Sequence, residues 1–131
     1  MAYLKPPAFV RKVFNPLALR FGLSGTQGLL VRRRSSSGTM RVPVIPVDLD
    51  GVKYVVSTRG ESDWVKNLRA AGECQLVAKR SAARYSASEV GLEARPPVID
   101  AYRAAAGKTV DTYWKQLPDA SDHPTFALTP Q

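Results

Sequence analysis

The sequence contains a single cysteine, Cys74, and a single histidine, His123. One cysteine cannot form a disulfide within the chain, which is typical of a reducing cytoplasmic compartment. This count also excludes a zinc site built from His and Cys, and no carboxylate cluster replaces one, so we expect no metal site. The histidine lies in the segment DHP, and this turn-like context predicts a turn or packing role rather than catalysis.

Long apolar runs are missing as well. No stretch approaches the roughly 18 apolar residues that read as a membrane-spanning helix, and residues 1–22 lack the pattern of a secretory signal. In that segment, apolar residues recur at roughly helical spacing among basic ones. It is predicted to pack across the domain or to touch anionic lipid or another subunit. With 131 residues, we expect one cytoplasmic domain, 1–131, with peripheral membrane contact left open.

Acidic residues are absent from the first third of the chain. Eight of the 19 basic residues and none of the 11 acidic residues precede Asp48. The remainder is balanced, so the net charge of +8 arises from this first third. Such an asymmetry predicts an anionic partner, which could be nucleic acid, a membrane surface or a charged cofactor.

The basic stretch RRRSSSGTMR occupies residues 32–41. No aromatic residue lies between Phe21 and Tyr54, so this stretch offers no platform on which bases could stack, and we expect no nucleic acid partner. A strand ending in arginines, a Ser/Gly turn and a second strand would aim N–H groups, hydroxyls and guanidinium groups at one small anion. The segment STRGES, residues 57–62, is a second such turn before a helix. A solvated arginine hairpin beside an ordinary helix cap is the alternative.

The sequence pattern predicts a mainly β protein with peripheral helices. Pro43 and Pro46 favour an edge or bulged strand over 41–49, and Asp50-Gly51 is a hairpin signal. Ser62 is predicted to cap a helix that ends at Gly72. The other predicted elements are strands over 29–34, 52–58, 73–80, 83–90 and 125–129, and helices over 98–107 and 109–117, the last capped by Thr109. About six antiparallel strands that close into a small barrel fit this order best.

The segment YVVSTRGESDWVKNLRAAGECQL, residues 54–76, resembles the deazaflavin-dependent oxidoreductases of actinobacteria, often called the nitroreductase family. LPDASDHPTFAL, residues 117–128, is similar to their closing segment. The resemblance covers roughly residues 9–130 and is most specific over Trp64–Gly72. It implies a split β-barrel of the FMN-binding kind that holds coenzyme F-420 (8-hydroxy-5-deazaflavin), whose tail is strongly anionic, with FMN as the substitute cofactor.

The family signature for the cofactor phosphate and tail is G-R-[KR]-[ST]-G-x-x-R-x-x-P, and the basic stretch matches it incompletely. Counted back from Pro43 without a gap, Arg34 and Ser36 fall on the signature Arg and Ser/Thr. A register with one insertion and one deletion instead uses Ser37-Gly38 and Arg41, which restores a glycine where the backbone must turn tightly.

The resemblance implies roles for individual residues. Arg34, Ser36 and Arg41 would meet the phosphate or tail, while Pro43, Val44 and Ile45 would present strand backbone to the deazaflavin ring. The second turn and the following helix would complete the cofactor site with Ser57, Thr58, Arg59, Trp64 and Asn67. Plain core packing is the alternative role for Trp64. Tyr102, Tyr113 and Trp114 would lie beside the substrate pocket, and Tyr113 is the candidate catalytic residue, donating a proton or hydrogen bond to the acceptor.

No G-x-S-x-G, Walker or G-x-G-x-x-G motif is present, which predicts that a bound cofactor supplies the reactive group. The resemblance implies hydride transfer from reduced deazaflavin to a quinone, an enone or a nitro compound. A non-catalytic protein that binds or sequesters the deazaflavin is the alternative, and a basic nucleic-acid-binding domain is the third hypothesis. A monomer and a homodimer are both left open.

Overall fold

A computed structural model of the chain describes residues 26–35 and 38–131. The predicted N-terminal segment, residues 1–22, and Ser36 lie outside the described residues. The strands are β1 (Gln27–Arg32), β2 (Thr39–Val44), β3 (Val47–Leu49), β4 (Val52–Val56), β5 (Glu73–Ala78), β6 (Ser81–Glu89) and β7 (Thr125–Pro130). The α-helices are α1 (Asp63–Ala71), α2 (Arg95–Ala106) and α3 (Asp111–Gln116), with short 3-10 turns over Leu92–Ala94, Gly107–Val110 and Ala120–Asp122.

The seven strands form one sheet in the order β2-β1-β5-β6-β7-β4-β3, and every pair is antiparallel. The two edge strands, β2 and β3, are consecutive in the chain and are separated only by Ile45 and Pro46. Because so short a connection joins opposite edges, the sheet must curl until its two edges approach each other at this corner. The mainly β, antiparallel fold class is thus confirmed.

Local signals explain the turns. Asp50 and Gly51 both have positive φ, 53° and 81°, as a two-residue hairpin turn of the primed type requires. Gly72, with φ 70°, ends α1 in the left-handed conformation, and its N–H donates to the Leu68 carbonyl at 2.8 Å. Both predicted turns are confirmed, and both place glycine where a side chain would be strained.

Some predicted boundaries are wrong. The strand predicted over 41–49 is two strands, because Pro46 has no N–H to donate to a ladder. The described residues therefore form seven strands, where the sequence predicted about six. Ser62 occupies the N-cap position of α1, but its side chain forms no capping hydrogen bond. Thr109 lies within a 3-10 turn, and Val110 is the N-cap of α3.

Two hydrophobic cores flank the curled sheet. The first core, inside the curl, consists of Leu29, Val31, Val44, Val55, Trp64, Val65, Leu68, Cys74, Leu76, Phe126 and Leu128. The second core lies between the β3–β4 hairpin and the late helices and consists of Ile45, Val47, Val56, Val98, Ile99, Tyr102, Val110, Tyr113 and Trp114. The adjacent residues Val44 and Ile45 belong to different cores, so the corner between the sheet edges is also the boundary between the cores.

Candidate functional site

A cleft of about 330 Å³ opens at this corner. Its walls come from β2, the turn after β4, α1 and the two late helices. The lining residues are Arg41, Val42, Pro43, Val44, Ile45, Val56, Thr58, Arg59, Trp64, Tyr102, Thr109, Val110 and Tyr113. The cleft therefore lies between the two cores and draws apolar side chains from both.

Strand β2 meets the cleft through its backbone edge. Successive side chains of a strand point to opposite faces, so a strand that lined a cleft with one face would contribute every second residue. Here all five residues from Arg41 to Ile45 contribute, and β2 is an edge of the sheet formed by the described residues. Its outer N–H and C=O groups are thus available to a ligand with its own donors and acceptors.

Two arginines approach the cleft from different elements. The Arg41 side chain is exposed and forms no ion pair with any described residue. Arg59 is half-buried, and its Nε is buried without a hydrogen-bond partner among residues 26–35 and 38–131. Its guanidinium carbon lies 5.9 Å from the centre of the Tyr113 ring. Both side chains can accept an anionic ligand without first breaking an ion pair within the described structure.

Two tyrosines form the aromatic side of the cleft. The Tyr113 hydroxyl is buried and has no hydrogen-bond partner in the described part of the chain. Burial raises the pKa of Tyr102 well above its usual value, although nearby Arg59 acts in the opposite direction. Tyr102 is therefore a neutral hydroxyl at physiological pH. A buried hydroxyl without a partner costs free energy, so the Tyr113 hydroxyl makes this cleft suited to a ligand with a hydrogen-bond acceptor.

Trp64 contributes to both the core and the cleft. It is 6% exposed, belongs to the first core and packs against Phe126 with ring centres 6.2 Å apart. It also lines the cleft. The two roles considered for this residue, core packing and contact with a ligand, are therefore compatible.

Hydrogen bonds of Ser57 hold the turn after β4 in place. The Ser57 hydroxyl donates to the Gly60 carbonyl at 2.7 Å, and Gly60 has φ 82°. The Ser57 N–H donates to the Pro124 carbonyl at 2.9 Å. Ser57 therefore does not line the cleft but shapes the turn that carries Thr58 and Arg59 into it.

His123 connects this turn to the end of α3. Its Nδ1 lies 2.8 Å from the Ser57 carbonyl oxygen and its Nε2 lies 2.6 Å from the Leu117 carbonyl oxygen. The ring is fully buried and stacks on Trp114 at 4.0 Å between centres, with an interplanar angle of 11°. It does not line the cleft, and these contacts agree with the packing role that the sequence predicts.

The turn between β1 and β2 is attached to α1. Asn67 Oδ1 accepts hydrogen bonds from the backbone N–H of Arg34 at 3.2 Å and from its Nη1 at 2.9 Å. Asn67 Nδ2 donates to Met40 Sδ at 2.8 Å. Arg34 and Asn67 thus hold each other outside the cleft, and of the two predicted phosphate-binding arginines only Arg41 lines it.

The structure brings together most of the predicted site. Eight of the described candidates line one cleft, namely Arg41, Pro43, Val44, Ile45, Thr58, Arg59, Trp64 and Tyr113. The sequence predicted no ligand contact for Val42, Val56 or Val110, and for Thr109 only a role as a helix cap, because ordinary apolar and hydroxyl residues carry no motif. Their contribution depends on how the sheet curls. The predicted roles in cofactor binding and catalysis remain predictions.

A second, smaller cleft of about 260 Å³ includes Arg32, Glu73 and Gln131 among its lining residues. Arg32 pairs with Glu73 at 3.3 Å, and Gln131 donates to the same carboxylate at 3.2 Å. Burial raises the pKa of Cys74, also in its lining, to about 11, with Glu73 acting in the same direction, so the thiol is protonated at neutral pH. These polar groups are satisfied or unreactive, which favours the larger cleft as the functional one.

No family model matches the chain, and no curated protein matches it. Solved structures do. An F420-H2 dependent reductase, FDR-A, aligns with a TM-score of 0.61 and 17% identity over 80% of this chain and 94% of that one. The haem storage protein HutZ of Vibrio cholerae aligns with a TM-score of 0.63 and 17% identity over 90% of both chains. A candidate pyridoxamine 5'-phosphate oxidase of Listeria innocua aligns with a TM-score of 0.58 and 14% identity over 94% of both.

The chain has the split-barrel fold. These similarities have sequence identities below 20% and establish the fold alone. A shared fold does not identify the ligand, which depends on the residues of the cleft. Within residues 26–35 and 38–131, no helix combines the length and the apolar character needed to cross a bilayer. Among the same residues, no group of three or more His, Cys, Asp or Glu side chains could hold a metal ion.

Proposed function

We propose that this split-barrel protein is an oxidoreductase that binds reduced coenzyme F-420 in the cleft beside β2. From there, hydride would pass to a small organic acceptor such as a quinone, an enone or a nitro compound. The observation that carries the proposal is the convergence of three features on one cleft: the β2 edge, and two buried donors, Arg59 Nε and the Tyr113 hydroxyl. Within residues 26–35 and 38–131 the edge is unpaired and neither donor has a partner.

The residues present fit a planar heterocycle. A deazaflavin or flavin ring has amide-like groups along one side, which complement the outward N–H and C=O groups of β2. Val44, Ile45 and Val56 supply apolar surface beside that edge, which would exclude water from the ring. The coenzyme, when bound, supplies the hydride, so the protein's contribution is orientation and electrostatics.

The arginines fit the anionic part of the coenzyme. Arg41 and Arg59 both line the cleft, and neither is engaged in an ion pair with a described residue. A guanidinium group can hold phosphate or carboxylate through two parallel hydrogen bonds. Because Arg41 is exposed, its contribution should weaken as salt screens the charges.

Tyr113 fits the acceptor. Its hydroxyl is buried in the cleft and lacks a partner among the described residues, so an acceptor oxygen there would gain a hydrogen bond without displacing one. Such a bond strengthens as negative charge develops on that oxygen during hydride transfer. The adjacent Tyr102, neutral for the reason given above, adds polar but uncharged surface.

The direct test is to titrate the purified protein with coenzyme F-420 and, separately, with FMN. We expect F-420 to bind at micromolar protein, and Arg41→Gln and Arg59→Gln each to weaken binding by about tenfold. Arg84→Gln is the matched control, because Arg84 is exposed on β6 and lies outside this cleft. Preference for FMN would correct the cofactor, and failure to bind either would refute the proposal.

Turnover separates an enzyme from a binder. Reduced F-420 with a panel of quinones, enones and nitro compounds should be oxidised at a rate that depends on the acceptor. Tight binding without turnover for any acceptor would assign the protein to the sequestering class. Salt-sensitive binding to DNA, with no affinity for either coenzyme, would favour the nucleic-acid hypothesis instead.

A further inference from the structure

Gly28 lies on β1 beside the side chain of Arg41. In the β1–β2 register Gly28 faces Pro43 and Leu30 faces Arg41, so Gly28 and Arg41 are diagonal neighbours on the same face of the sheet. A methyl group at position 28 would lie 2.7 Å from Arg41 Nε and 3.1 Å from both Cζ and Nη2. The guanidinium group therefore lies directly over the glycine, in space that any side chain would fill.

Backbone conformation does not explain this glycine. Gly28 is not among the residues with positive φ in the described chain, which are Asp50, Gly51, Gly60, Gly72 and Gly107. Glycine in the interior of a strand is unfavourable because it loses more conformational freedom than alanine and offers no side chain to pack. What the glycine provides at this position is room for the guanidinium group.

We propose that Gly28 is a positioning residue that holds the Arg41 guanidinium against β1, ready to meet the anionic part of the ligand. This inference rests on the proposed function, since it assigns Arg41 an anion from the coenzyme. Arg41 has no ion pair with a described residue, so without the space at Gly28 its long side chain would sample many rotamers in solvent. Fixing such a side chain before binding removes part of the entropy cost of association.

Gly28→Ala tests the proposal without threatening the fold. The atoms that the new methyl group meets belong to the end of a flexible side chain, so Arg41 is expected to move away while the strand remains. Alanine is at least as favourable as glycine in a strand, and the melting temperature should therefore not fall. Binding of coenzyme F-420 should weaken by about two- to tenfold, the entropy cost of immobilising one long side chain.

Two comparisons make the result specific. Gly91→Ala is the matched control, because a methyl group there meets no atom within 4 Å, and it should bind F-420 like the wild type. In an Arg41→Gln background, Gly28→Ala should cause no further loss, because the guanidinium group that it displaces is gone. Unchanged affinity in Gly28→Ala, or an equal loss in the Arg41→Gln background, would overturn the proposal.

A measurement without ligand separates this inference from the proposed function. In the ¹⁵N-labelled free protein, the Arg41 Nε–H should show nuclear Overhauser contacts to the Gly28 Hα protons, and Gly28→Ala should shift the Arg41 Nε resonance. Absence of both effects would overturn the positioning role whatever the ligand is. If both effects are seen but neither F-420 nor FMN binds the wild type, the proposed function is refuted while the positioning role of Gly28 stands. Inorganic phosphate is then the first anion to test for binding at Arg41.

Discussion

At the residue scale, the position of Tyr113 agrees best with the role proposed for it, a hydrogen bond to the acceptor. Its hydroxyl is buried in the cleft without a hydrogen-bond partner in the described chain. We expect Tyr113→Phe to reduce kcat with reduced F-420 and a quinone by about tenfold to a hundredfold, because one hydrogen bond to the developing negative charge is lost. The same change should leave the melting temperature equal or higher, since it removes a buried unpaired polar group.

Tyr85→Phe is the control for this substitution. Tyr85 is a half-buried residue of β6 beside the first core and lies outside the cleft, so its kcat should equal that of the wild type. A Tyr113→Phe enzyme with full kcat would contradict a role for the hydroxyl in turnover. A marked fall in its melting temperature would show that the hydroxyl has a structural partner instead.

His123 is a structural residue whose loss should be costly. The carbonyl oxygens of Ser57 and Leu117 lie within hydrogen-bond distance of its two ring nitrogens, and the N–H of a neutral ring donates to one of them. We expect His123→Leu, of similar volume, to lower the free energy of unfolding by about 2 to 4 kcal/mol, measured by urea denaturation. His123→Gln, which can still donate to one carbonyl, should lose about half as much, and a Leu variant as stable as the wild type would contradict this account.

At the scale of elements, Arg69 links α1 to β6 and to the turn after β4, which contains Glu61. Its Nη1 and Nη2 donate to the two carboxylate oxygens of Glu61 at 2.9 and 3.0 Å. Its Nε and Nη2 donate to Glu89 at 2.7 and 2.9 Å, and Glu89 also accepts from Arg95 at the start of α2 at 3.3 Å. The network therefore joins α1, β6 and the start of α2 to the turn after β4.

Arg69→Gln should lower the free energy of unfolding by about 1 to 2 kcal/mol at pH 7, a range reduced because the guanidinium is 39% exposed. The hydrogen bond from Arg69 is the main cause that holds the pKa of Glu61 below its usual value of 4.5. A lowered pKa in the folded state stabilises the protein above pH 4.5, and this stability is lost as the pH falls through the folded value.

Stability measured from pH 7 down to pH 3 tests the assignment. The wild type should lose stability more steeply below pH 4.5 than Arg69→Gln, because the variant has already lost the interaction that protonation removes. Lys79→Gln is the control, since Lys79 is exposed just after the end of β5, forms no ion pair with a described residue and does not affect the pKa of Glu61. Identical slopes for the wild type and Arg69→Gln would contradict the network.

Elements whose signals are local were predictable from the sequence. The Asp50-Gly51 turn needs two positive φ angles, and α1 ends where Gly72 permits a left-handed residue. The predicted helix and strand boundaries that are wrong depend on interactions beyond the neighbouring residues. Thr109 has the chemistry of a cap, but the chain there continues from α2 through a 3-10 turn, so Val110 takes the position before α3.

At the scale of the whole molecule, the cleft was predictable only in part. Motif and resemblance selected residues from β2 and from the turn after β4, which face one another because the sheet curls. No pattern in the sequence predicts that Ile45 and Pro46 join opposite edges of a seven-stranded sheet. The arrangement is produced by the register of five other strands, which is why Val56 and Val110, without any motif, came to line the cleft.

Because the cleft separates two hydrophobic cores, a ligand there should act as a third apolar layer that couples them. We expect saturating coenzyme at one hundred times its dissociation constant to add about 2.7 kcal/mol to the free energy of unfolding. Ile45 lies at the boundary, 3% exposed, belongs to the second core and lines the cleft. Leu76, 2% exposed, belongs to the first core and does not line the cleft.

Ile45→Ala and Leu76→Ala should therefore separate core packing from coupling. Each removes buried apolar volume and should cost the free protein about 2 to 4 kcal/mol. At one fixed coenzyme concentration, Leu76→Ala should keep the full ligand-induced rise in melting temperature, whereas Ile45→Ala should keep only part of it. Equal rises in both variants would mean that the ligand contacts the cleft without bridging the cores, because the side chain at the boundary would then contribute nothing to the bound state.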